Sequence, residues 1–329
     1  MQDQHLEALH FHHLSLDCQA AVRDWFEGRA AAAKIDGARS VHIAHPDGGG
    51  RMLKIKGAGF AGGPIQFGTY HNTGPKAAQF DFEGRMMDDI ASGWDGALEG
   101  GASFQQAVTE FEMGQRLTAL GYEIIPCLGY GRAVKAGQSS WFAVFDHEPG
   151  LRTDSDMMYP RIGIDEWKHL NTIIGALMFE LAVKHDLIGH CWYQGAADGR
   201  LLIRDLHPFR YADPMNMSQI SWVMQVFYAM HIRGNAPRLL GLKRNDPAEP
   251  RDLHVWQYRA FCPDVRLEDH DELREQLVIP YMLRPPQAFS FDTLLSLLTR
   301  NRITAALMDA CPPKFARVSA GALPASESA

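Results

Sequence analysis

Residues 51–59 read RMLKIKGAG, and residues 107–121 read AVTEFEMGQRLTALG. The first stretch has the make-up of a short strand that ends on Lys56 and runs into Gly57 and Gly59. Glycines there let a backbone come close to a ligand. The second belongs to a helix whose start is written in the residues before it. Ser103 caps the N-terminus, and Gln106, three positions on, completes a capping box. Phe104, Ala107, Val108, Phe111 and Leu117 recur at helical spacing, and Gly121 is placed to end the helix. Glu110 sits at the border of that apolar stripe. If the helix packs on the sheet that holds Lys56, the two charges meet.

Working outward, "SVHIAHPDGGGRMLKIKG" (40–57) predicts a hairpin around a Pro-Asp-Gly turn. Residues 57–101 hold 11 glycines in 45 positions. Against a usual share of roughly 7%, that marks a Gly-rich insertion shaped by a ligand or simply loose. After the helix, residues 123–150 predict two strands around a Gly- and Lys-containing turn. From about residue 155 the pattern is mostly helical, with candidates at 165–185, 217–232, 269–279 and 290–309. One hairpin, "CWYQGAADGRLLIRDL" (191–206), interrupts them, and its Asp198-Gly199 is a favoured tight-turn pair. The small, polar end from 312 to 329 predicts a disordered tail. Domain limits follow: a β-rich N-lobe over 1–150, a helical C-lobe with the hairpin over 151–311, and the tail.

The bulk numbers narrow the classes. With 329 residues and 46% hydrophobic content, the chain has material for two lobes of ordinary globular composition. A formal charge of -7 argues against a general nucleic-acid binder, since phosphate backbones are held by Lys and Arg. It leaves room for a local basic pocket around a small phosphate compound. Five widely spaced cysteines with no CxxC suit reduced thiols in the cytoplasm. No signal peptide and no uninterrupted apolar stretch long enough for a membrane span are visible, so a cytoplasmic protein without membrane partners is expected.

"RLLIRDLHPFRYAD" (200–213) places Asp205 at the end of an apolar strand. A carboxylate there suits Mg²⁺, which takes one or two protein carboxylates plus substrate phosphates; a turn-capping Asp is the plainer alternative. A strand Lys braced by a helix Glu is a recurrent part of phosphoryl-transfer enzymes. The order strand Lys56, helix Glu110, two strands, helices, hairpin, Asp205 is the order of parts in a protein-kinase-like fold. Other groups carry less. His10, His12 and His13 in "HFHH" have metal-ligand chemistry, but their alternation suits a half-exposed strand. Asp154 and Asp156 read as a solvated loop. Cys191 reads as a buried spectator thiol, and Trp222, Phe227 and Tyr228 as core.

These motifs carry a resemblance. "LKIKGAG" (53–59) resembles the L-x-L-K-G-[AS]-G segment of the selenoprotein O family, kinase-like proteins that transfer AMP to protein hydroxyls. "AVTEFEMGQRLTALGYEIIP" (107–126) resembles that family's Glu-bearing helix and aligns its nucleotide-pairing Glu with Glu110. "DLHPFRYAD" (205–213) is similar to its D-Y-G-P-F-G-F-L-D metal segment, with identity at Asp205, Pro208, Phe209 and Asp213. The resemblance covers about 50 residues and implies a distant relative using ATP and Mg²⁺. It implies phosphate contacts from Lys56, Gly57, Gly59 and Arg152, with Asp205 as metal ligand. Where the family has a metal-binding Asn, "KHDLIGHCWYQGAADG" (184–199) has none. Gln194 is the oxygen donor that stands in, and His190 a candidate phosphate contact. Asp186, 19 residues before Asp205, is the candidate base.

The expected fold is therefore α+β, two-lobed and protein-kinase-like. The expected function is an ATP/Mg²⁺-dependent transfer of an adenylyl or phosphoryl group to a protein or small-molecule acceptor. Two alternatives stand beside it: an ATP-using kinase or ligase of small-molecule biosynthesis, since "IRDL" resembles a segment of siderophore synthetases, and a non-catalytic pseudokinase scaffold.

Overall fold

The computed structural model describes residues 6–36, 40–58, 68–69, 98–99, 101–135, 138–151, 163–189, 191–207, 209–215, 217–234, 255–278 and 291–317. The chain divides into two compact units. The first comprises Met1–Gly74, Ala91–Met157 and Trp192–Pro208, and the second comprises Pro75–Ile90, Met158–Cys191 and Phe209–Ala329. The architecture is the expected α+β: a β-rich first unit with one main helix on its sheet, and a mostly helical second unit.

The first unit is built on a six-stranded antiparallel sheet. Its strands are β1 (Leu6–His12), β2 (Lys34–Asp36), β3 (Ser40–Ala44), β4 (Met52–Lys56), β7 (Cys127–Lys135) and β8 (Gln138–His147), in the order β1-β7-β8-β4-β3-β2. A separate two-residue pair, β5 (Gly68–Thr69) with β6 (Leu98–Glu99), lies in the Gly-rich insertion. Register decides what each face carries, because directly paired residues share a face and neighbours along a strand alternate. Leu53, Ile55, Val41, Ile43, Phe142 and Val144 point one way and pack with Cys18 and Val22 of α1 (Leu16–Phe26). Lys54, Lys56, Ala143 and Phe145 fall on the other face, since Lys54 pairs with Phe145 and Lys56 with Ala143.

That second face receives α2 (Phe104–Ala119), which packs on β7 and β8. The capping box is present: Gln106 N–H donates to Ser103 Oγ at 3.1 Å, and Ser103 N–H donates to Gln106 Oε1 at 3.2 Å. The helix closes at Gly121, whose φ of +85° is the left-handed conformation that glycine accepts without cost. The hairpin β10 (Trp192–Gly195) and β11 (Leu201–Arg204) joins the same face. Ile203 N–H donates to Glu123 O and Ile125 N–H to Ile203 O, while Leu202 packs among Ile125, Cys127, Ala143 and Phe145. These contacts tie the hairpin to the first unit, whereas the sequence pattern assigned it to the helical part. Its backbone partners lie 78 and 80 residues earlier, so no local signal announces them.

In the second unit, α3 (Ile164–Lys184) leads into the two-residue strand β9 (Leu187–Ile188), which pairs with β12 (Arg210–Tyr211); α4 (Gln219–Gly234) follows. Trp222 and Phe227 are core residues, as their spacing implied. Residues 267–278 begin as a helix (Leu267–Leu273) and loosen into a π turn (Arg274–Val278). The helix expected over 290–309 is two, Phe291–Arg300 and Arg302–Ala310. Asn301 divides them: its Oδ1 accepts from Ile303 N–H, capping the second helix, while its Nδ2 donates to Asp269 O. Residues 312–317, within the stretch expected to be a tail, are described and pack into the fold. Phe315 is buried, and Gln219 N–H donates to Ala316 O at 2.9 Å.

Candidate functional site

Lys56 is the last residue of β4, and the chain turns immediately at Gly57. Gly57 has a φ of +92°, and a Cβ there would stand 2.6 Å from Trp141 O, so only glycine fits. Lys56 Nζ is held from two sides. It donates to Glu110 Oε1 at 2.5 Å and to Asp205 Oδ1 at 2.5 Å. All three residues belong to the first unit.

Each partner is placed by its own element. Glu110 lies on the buried side of α2, and one turn later Gly114 lets the helix approach closely. A Cβ on Gly114 would lie 3.4 Å from Ile124 Cδ1 and 3.7 Å from Cys127 Cβ. Asp205 follows the last residue of β11 with a φ of +60°, a left-handed backbone that non-glycine residues adopt at a cost of roughly 1 kcal/mol. That turn aims its carboxylate at Lys56 and its successor's N–H at Glu110: Leu206 N–H donates to Glu110 Oε2 at 2.9 Å. Arg204 Nη1 pairs with Asp205 Oδ2 at 2.9 Å, and His207 Nδ1 lies 3.3 Å from Glu110 Oε1.

The electrostatics favour ionised carboxylates. Burial alone pushes Glu110 up, but Lys56 and the His207 hydrogen bond override it and hold the carboxyl at about 2. Burial likewise opposes ionisation of Asp205, yet Arg204, Lys56 and Lys54 keep it well below the usual carboxylate range. The result is a cation braced by two anions, backed by two further cations, on a sheet face largely removed from water. Nearby Cys127 is no nucleophile, because burial pushes its thiol up.

The donor set for a metal is limited. Among the described residues no group of three or more His, Cys, Asp or Glu is placed to hold an ion. Asp205 supplies one carboxylate. Gln194 is buried in β10, opposite Leu202, and its Oε1 accepts no hydrogen bond from the described residues. A carboxylate and an orphaned amide oxygen are the hard donors that suit Mg²⁺, which takes its remaining ligands from water and phosphate.

The other sequence candidates divide. Gly59, Arg152, His190, Asp154 and Asp156 lie outside the described residues. Asp186 belongs to the second unit, again with a left-handed φ of +58°. Its Oδ2 pairs with Lys314, its Oδ1 is buried without a hydrogen bond from the described residues, and its carbonyl accepts from Ala212 N–H at 2.7 Å. Cys191 is buried. The "HFHH" histidines form an aromatic edge: His12 stacks on Tyr130 at 4.8 Å and His13 on Phe111 at 4.4 Å between ring centroids. Asp146 pairs with Arg51. Sequence reasoning passed over Arg204, His207 and Lys54. Their signals were nearness in sequence: Arg204 precedes Asp205, His207 follows it by two, and Lys54 stands two residues before Lys56, on the same side of the strand.

No family model matches the chain, and no curated protein matches it, so the resemblance to selenoprotein O gains no support from either comparison. Among solved structures, a MAP kinase, LmaMPK10 from Leishmania major, is similar over 90% of this chain and 88% of that one, with 12% identity and a TM-score of 0.32. So loose a superposition identifies no family, and the chemistry of this chain rests on its own residues.

Proposed function

We propose that the chain is an ATP- and Mg²⁺-dependent transferase of protein-kinase-like architecture, moving a phosphoryl or adenylyl group onto an acceptor. One observation carries the reading: a strand lysine, a helix glutamate and a post-strand aspartate from three distant parts of the sequence meet at Lys56 Nζ. Stabilising the charge of a transferring phosphoryl group is most of the catalytic task in such reactions, and this constellation supplies the means. Lys56 neutralises phosphate oxygens, exchanging Asp205 for them while Glu110 keeps it oriented. Asp205 and Gln194 would hold Mg²⁺, which contributes charge neutralisation on the phosphates when bound. Arg204 and His207 steady the two carboxylates. Arg152, in the same unit, is assigned to a further phosphate contact.

The test is label transfer. With Mg²⁺ and ATP labelled at the α or the γ phosphate, incorporation from α means adenylylation and from γ means phosphorylation. Lys56→Met and Asp205→Asn should each lower turnover by at least about 100-fold, the scale at which losing one positioned charge is felt. Turnover that survives both substitutions removes this site from the reaction. The scaffold reading draws on one feature, the direct Lys56–Asp205 pair that already satisfies both charges. Nucleotide binding without turnover for any acceptor is its signature.

A further inference from the structure

Strand β4 is buried on both sides. The side facing α1 uses Leu53 and Ile55, as burial alone would select. The opposite side uses lysines, and Lys54 is only 7% exposed. Its cross-strand partner on β3 is His42, 1% exposed. His147, 2% exposed, pairs with Met52 on the same face, and its ring lies 4.7 Å from that of His42. A sheet face buried this deeply by packing alone would carry aliphatic side chains, as its reverse does. Here, beside Ala143 and Phe145 on β8, it carries a line of basic and imidazole groups that begins at Lys56. The net charge of the whole chain is -7, so this strip runs against its composition.

Pockets that hold a flat nucleobase are lined mostly by apolar groups, with a few polar ones for orientation. Next to Lys56 the apolar Ala143 and Phe145 are joined by basic and imidazole groups, Lys54, His42 and His147. Lys54, two residues back along the strand, lies about 7 Å from Lys56, within reach of a short chain of phosphates. We propose that His42, Lys54 and His147 form a second phosphate-binding segment continuous with Lys56, so that the ligand is a polyphosphate recognised through its phosphate chain rather than through its base. The inference rests on the nucleotide-transfer reading and names what that site reads. Lys54 and both histidines have partners within the chain, and the charge of Lys54 helps keep Asp205 ionised. Phosphate oxygens compete for these groups as they do for Lys56, through charge-assisted hydrogen bonds.

The experiment is competition binding on the full chain with Mg²⁺, following labelled ATP. The competitors are orthophosphate, pyrophosphate, tripolyphosphate, GTP and adenosine. Affinity should climb with each added phosphate, tripolyphosphate and GTP should compete within about tenfold of ATP, and adenosine should not compete. This series needs no variant. Lys54→Met, checked for folding by circular dichroism, should weaken ATP and tripolyphosphate together by about tenfold or more. His42→Gln should reduce tripolyphosphate binding in the same direction. A flat phosphate series, adenosine competing as well as ATP, or a folded Lys54→Met variant with unchanged affinity overturns the inference. In each of those cases ATP binding lost in Lys56→Met leaves the transferase reading standing. If neither ATP nor tripolyphosphate binds the native chain, both fall together.

Discussion

At the scale of residues, the centre of this protein is one ammonium group shared by two carboxylates. Glu110 is 2% exposed and accepts from Lys56 and from the Leu206 backbone. Its removal leaves a buried cation and a buried N–H short of a partner. Glu110→Ala is therefore expected to destabilise the first unit by about 3–5 kcal/mol, read as a lower midpoint in urea. Glu110→Gln keeps an acceptor for the Leu206 N–H and should cost less. The sign of the pH dependence follows from the depressed carboxyl. Folded, Glu110 sits at about 2, below its ordinary 4.5, so its stabilisation is fully present above pH 4.5 and is lost as pH falls towards 2. Asp205, also depressed, acts in the same direction. Urea midpoints measured at pH 6 and pH 3 should fall steeply for the native chain and less steeply for Glu110→Gln. Equal slopes would mean that the carboxyl is not held low.

At the scale of elements, α2 decides how closely Glu110 approaches the sheet, and the space at Gly114 limits how large a side chain α2 can carry there. A methyl group there would make ordinary van der Waals contact with Cys127 and Leu206 and sit a little closer to Ile124. Gly114→Ala should therefore be tolerated or stabilising by up to about 1 kcal/mol, the helix-propensity difference. Gly114→Leu has no room and should cost about 1–3 kcal/mol by overpacking. It should also weaken nucleotide binding, because Glu110 lies one turn away on the same side of the helix. Thermal unfolding and ATP titration of the two variants separate these outcomes. The hairpin β10–β11 is the other decisive element. Its strands were legible from the Asp198-Gly199 turn, but its place on the sheet depends on the pairing of Ile203 with the segment before β7.

At the scale of the whole molecule, the candidate phosphate site is contained within one compact unit, although the residues composing it span positions 42 to 207. Hydrogen exchange with and without ATP and Mg²⁺ should therefore show new protection in peptides covering 40–58, 104–119 and 201–207, all from that unit. Ligand at 100 times its dissociation constant stabilises by about 2.7 kcal/mol, ample to slow exchange in these segments. Protection confined to peptides of 164–184 and 219–234 would place the nucleotide elsewhere.

Much of the architecture was written locally. The capping box at Ser103 and Gln106, the stop at Gly121, the strand ending at Lys56 and the tight turn at Asp198-Gly199 are short-range chemistry, readable because their partners lie within a few residues. The burial of Phe315 was not, since its aromatic neighbour Trp222 lies far away in the chain. The site shows the same division. Lys56, Glu110 and Asp205 were legible as types at the ends of elements. That they share one nitrogen, that Arg204 and His207 support them, and that Lys54 joins them on a buried face followed only from strand register and helix packing. A residue's kind is a property of the sequence, but the dielectric around it and the charges it meets are properties of the fold.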